Sequence, residues 1–94
     1  MGKLDPTDPV VRTAVFGKQV EDFMASDIGV YLLQRADQEI EGLSGKLLNE
    51  TPTNSDSIAL LQNRIRMLQS MKGWLAEAVM AGYQSTQAIE EANA

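Results

Sequence analysis

The stretch Ser57–Gly82 reads SIALLQNRIRMLQSMKGWLAEAVMAG, and its periodicity decides the fold. Apolar residues recur at steps of three and four: Ile58, Leu61, Ile65, Leu68, Leu75 and Val79. Lys72 stands at the position where this ladder expects another apolar side chain. Such spacing places all of them on one face of an α-helix. The ladder continues through Gly82, Thr86 and Ile89 with no proline to stop it, so it predicts a helix over about 57–91, capped by Asp56 or Ser57. A second stripe, Leu60, Met67, Trp74, Ala81 and Ala88, repeats every seven residues beside the first. Together they are wider than a two-helix seam requires, which sets the helix against two neighbours.

Two earlier segments supply those neighbours. Asp8 followed by Pro9 is a helix start, because the carboxylate can accept free backbone N–H groups and proline at the first helical position lacks only a donor that would be unused. A helix over about 9–24 follows, carrying Val11, Ala14, Val15, Phe16, Val20, Phe23 and Met24, with Gly17 weakening it. Residues 1–8 form an N-terminal arm. Ser26 or Asp27 caps a second helix over about 27–49, whose face is Ile28, Leu32, Ala36, Ile40, Leu43 and Leu47. Pro52, among Thr, Asn and Ser, breaks the chain between the second and third helices.

A short loop makes antiparallel neighbours of the helices it joins. Folding the chain about residues 53–54 sets Leu47 near Leu61, Leu43 near Ile65, Ile40 near Leu68, Leu32 near Leu75 and Ile28 near Val79. Ala36 then falls opposite Met71. The fold expected for residues 1–94 is therefore all-α: a long antiparallel helical hairpin with an additional N-terminal helix packed on it. Trp74, the only tryptophan, packs beneath the first helix in this reading. Lys72 lies in the seam with its stem packed and its ammonium reaching outward, and Glu39 is its expected partner.

Composition narrows the function. The 94 residues contain no cysteine and no histidine, which removes disulfides, thiolate metal sites, imidazole bases and histidine-activated nucleophiles. No phosphate-binding glycine loop or nucleophile elbow occurs. The nearest acidic pairs, Glu39 with Glu41 and Glu90 with Glu91, point to different sides of a helix and cannot share a metal. No catalytic, cofactor or metal-binding residue is assigned, and an enzyme is not expected. A net charge of −5 argues against broad wrapping of duplex nucleic acid, leaving only a local contact through Arg64 and Arg66. The N-terminal segment lacks the apolar core of a signal peptide, and no apolar run approaches the ~20 residues that span a bilayer. The expectation is a soluble protein with no membrane and no small-molecule substrate.

The third helix outreaches the second, so its last turns must pack on the first helix or on another chain. Val79, Tyr83, Thr86 and Ile89, with Trp74, are the candidate partner-binding residues, among small residues that permit close helix approach.

Residues 15–40, VFGKQVEDFMASDIGVYLLQRADQEI, and 61–91, LQNRIRMLQSMKGWLAEAVMAGYQSTQAIEE, resemble small helical proteins encoded among the head and packaging genes of tailed bacteriophages. The likeness lies in Phe23-x-x-Ser26-Asp27-Ile28-Gly29 at the start of the second helix, and in Leu61-Gln62-Asn63-Arg64-Ile65 and Trp74-Leu75-x-Glu77-Ala78-Val79 on the third. It implies a structural or assembly component of the virion, bound through helix faces to copies of itself or to a larger phage structural protein, in the virion or the host cytoplasm. It carries over no catalytic residue. Two alternatives stand beside it: a small phage regulator or inhibitor of a host protein, and a DNA-packaging accessory protein.

Overall fold

The computed structural model describes residues 5–94. Three helices follow one another: α1 (Pro9–Ala25), α2 (Asp27–Leu48) and α3 (Ser55–Ala92), with no strand among the described residues. Of the expected arm 1–8, residues 1–4 lie outside the described residues; Asp5 to Asp8 form a turn in which Asp5 accepts from the Thr7 N–H at 2.8 Å and the Thr7 hydroxyl at 2.7 Å.

Each helix end has a local cause. The Asp8 carboxylate accepts the Val10 N–H at 2.8 Å and Pro9 opens α1. A single residue, Ser26, separates α1 from α2 and serves both. Its hydroxyl donates to the Phe23 carbonyl at 2.6 Å and accepts the Gly29 N–H at 3.0 Å. The bend is so tight that a Cβ on Gly29 would sit 1.7 Å from the Phe23 carbonyl oxygen. Between α2 and α3 the Glu50 carboxylate gathers the turn, accepting from Ser57 Oγ at 2.7 Å, Asn54 Nδ2 at 3.1 Å and the Thr51 N–H at 3.3 Å. α3 starts two residues before the expected position, so Asp56 and Ser57 lie in its first turn and Asn54 is the capping residue, without a side-chain cap bond.

α3 is the spine, packing on both other helices, and more extensively on α1 than on α2. The contacts are those of a hairpin with the N-terminal helix added. The three-four ladder is its inner face: Leu61 and Gly82 are buried, and Ile58, Ile65, Leu68, Lys72, Leu75, Val79 and Ile89 are half-buried. Val20, Ala36 and Leu43 complete the apolar core, with Gly17 buried against Gly82.

The expected pairing of α2 with α3 fails at its far end. Ile28 is 68 % exposed and Leu32 is exposed as well. Val79, the expected partner of Ile28, instead lies beside Ala14, Gly17, Lys18 and Glu21 of α1. Glycine at both 17 and 82 lets α1 approach α3 backbone to backbone, so α1 takes the stretch of α3 that the first turns of α2 were expected to cover. The molecule is consequently drawn out. Its extents are 65 × 27 × 19 Å and its radius of gyration is 19.1 Å, against about 12 Å for a compact chain of this length.

Candidate functional site

The first three members of the second stripe of α3 do not enter the core. Leu60, Met67 and Trp74 all face solvent, and Trp74 is 64 % exposed. The expectation that Trp74 packs beneath α1 is overturned: Leu75 of the ladder turns inward, and a residue one step round the helix from it points away from the seam. From Leu60 to Trp74 the wide inner face expected for α3 is thus a narrow inner face and a separate outer one. Arg64 and Met71 lie four residues beyond Leu60 and Met67, so they belong to that outer stripe. Met71 is also exposed.

A shallow groove of about 270 Å³ runs along the edge of this stripe, lined by Glu39 and Leu43 of α2 and by Arg64, Met67 and Leu68 of α3. Its floor is apolar, from the buried Leu43 and the half-buried Leu68, and its rim carries one charge of each sign. Neither Glu39 nor Arg64 forms an ion pair among the described residues.

Lys72 is where the ladder requires, half-buried in the seam, but its ammonium pairs with Asp37 and not with Glu39. Residues two apart on a helix face different sides. Asp37 therefore occupies one edge of the seam with Lys72, while Glu39 opens onto the groove at the other edge.

The remaining candidate residues separate into two environments. Val79 and Ile89 are half-buried against α1, Val79 beside Gly17 and Ile89 beside Val10 and Val11. Tyr83 edges the same α1 contact yet stays 53 % exposed, and Thr86 turns its hydroxyl back onto the Gly82 carbonyl at 2.9 Å. Trp74 lies apart from them on the outer stripe. Sequence reasoning did not single out Leu60 and Met67 as surface residues, although the seven-residue repeat held them together. Periodicity reveals a stripe, not which side of it is covered.

Two local clusters carry electrostatic perturbation. The Ser57 hydroxyl holds the Glu50 carboxyl below the ordinary glutamate range, and Asp22, then Glu21, hold the Lys18 ammonium above the ordinary lysine value. Among the described residues no three acidic side chains converge where they could hold a metal, and no helix is long and apolar enough to cross a membrane. No family model, curated protein or solved structure matches the chain.

Proposed function

We propose that this chain is a non-enzymatic assembly protein of a tailed-phage particle, acting through helix-face contacts with itself or with a larger virion protein. The observation that supports the reading is the outer stripe of α3, where Leu60, Met67 and Trp74 stand in solvent at helical spacing. Large apolar side chains exposed in a row, rather than singly, mark protein contact sites. In this reading α2 and α3 form an antiparallel hairpin, with Glu50 bound to Ser57 near the turn and Asp37 bound to Lys72 farther along. α1 lies along the far half of α3, and the hairpin is the rigid bar that presents the stripe. The phage setting rests on the resemblance of residues 15–40 and 61–91.

Mass spectrometry of purified phage particles tests it. The chain should be present in stoichiometric amounts, and Trp74→Ala or Met67→Glu should lower its incorporation without unfolding it. Absence from particles, together with recovery on a host protein, would replace this reading with that of a regulator.

A further inference from the structure

We infer that the occupant of the outer stripe is a second copy of this chain, docked about a two-fold axis at Met67. The inference rests on the interaction reading above and names the partner.

Three observations carry it. The first is area. The chain exposes 7081 Å², whereas a folded monomer of 10.3 kDa exposes about 5,400 Å². The excess is about 1,700 Å², and a standard interface covers about 800 Å² on each partner. The elongated chain therefore exposes surface enough for an interface of that size.

The second is the symmetry of the stripe. Leu60 and Trp74 are each seven residues from Met67, two helical turns to either side. A two-fold axis across α3 at Met67 lays one α3 antiparallel on the other. It seats Leu60 of each copy against Trp74 of the other and brings the two Met67 side chains together. An isologous interface requires such a self-complementary patch.

The third is charge. Glu39 and Arg64 rim one groove, and neither has an ion-pair partner among the described residues. The same two-fold axis turns the groove over onto its copy, so each Arg64 faces Glu39 of the second copy and both charges are matched at once. A groove rimmed by one sign alone would repel its own image.

Sedimentation equilibrium over the micromolar range, combined with a cysteine probe, tests the arrangement. The native chain has no cysteine, so Met67→Cys introduces one thiol per chain. On mild oxidation it should form a disulfide-linked dimer rapidly, while Gln62→Cys, placed off the stripe, should not. The unmodified chain should sediment at twice 10.3 kDa. Met67→Glu should weaken the dimer at least about thirtyfold, the effect of losing a hot-spot residue, with helical circular dichroism unchanged. Arg64→Glu should weaken it too, and Arg64→Glu combined with Glu39→Arg should restore it. A monomer throughout the micromolar range, an odd-numbered oligomer, or equal cross-linking at positions 62 and 67 would overturn the inference. If that monomer is nevertheless incorporated into particles, the assembly reading survives and only the second copy is excluded. Absence from particles combined with a two-fold dimer gives the converse.

Discussion

The backbones of Gly17 and Gly82 meet directly: a Cβ on Gly17 would stand 2.6 Å from the Gly82 Cα, and one on Gly82 would stand 2.8 Å from the Gly17 Cα. No real Cβ tolerates such distances, and the atoms in the way are backbone, which cannot swing aside. This close approach is what lets α1 displace the first turns of α2 from α3.

Gly17→Ala should therefore force α1 outward and destabilise the fold by ~1–3 kcal/mol, the cost of overpacking, despite the better helix propensity of alanine. Gly42 offers the internal control, since nothing lies within 4 Å of the Cβ it would gain. Gly42→Ala should stabilise by ~0.5–1 kcal/mol. Chemical denaturation of the two variants should shift in opposite directions; a shared direction would contradict the glycine contact.

Trp74 and Leu43 should exchange the roles their sizes suggest. Leu43 is only 2 % exposed, and Leu43→Ala should cost ~2–5 kcal/mol through lost burial and the cavity left behind. Trp74→Ala removes a larger side chain from solvent and should cost less than ~1 kcal/mol in the isolated protomer. Denaturation at concentrations where the chain is monomeric checks this ordering. A large loss for Trp74→Ala there would mean that the ring is buried after all.

Ser26 holds the only break between α1 and α2. Ser26→Ala deletes both its bond to the Phe23 carbonyl and its acceptance of the Gly29 N–H, and should cost ~0.5–2 kcal/mol, the range for a lost N-cap. Amide exchange should accelerate first at Gly29 and its neighbours. Unchanged exchange there would show that the bend is held by packing alone.

The Lys72–Asp37 pair is partly exposed on both sides, so Asp37→Asn should cost no more than ~1 kcal/mol. Lys72→Leu should keep the fold and match or exceed native stability, because it replaces a charge in an apolar seam. Thermal melting of both variants at low and high salt is the check, with the small effect of Asp37→Asn vanishing at high salt.

Glu50 predicts an acid-sensitive turn. Hydrogen bonds from Ser57, Asn54 and the Thr51 N–H favour its charged form, so its folded value lies below its unfolded one, and the unfolded state binds the proton more readily. Its contribution is complete above the unfolded glutamate value and is lost as pH falls through the lowered folded value. Amide exchange near Asn54 and Ile58 should rise across that acidic window in the native chain and stay flat across it in Glu50→Gln.

Local signals in the sequence were enough for the helices, because each is controlled by neighbours along the chain. Asp8-Pro9 starts α1, Ser26 caps α2, Pro52 breaks the chain, and the ladder from Ile58 to Ile89 marks the inner face of α3. What the tertiary structure decided was which surfaces meet. Pairing by register alone sends Ile28 to Val79, since it treats α2 as continuing straight along α3. The backbone contact of Gly17 with Gly82 instead gives that length of α3 to α1, leaving Ile28 in solvent. The seven-residue stripe through Met67 and Trp74 shows the same limit. Its periodicity is a property of one helix, whereas its exposure depends on how much apolar surface the other two helices can cover, and two short helices cover only one side.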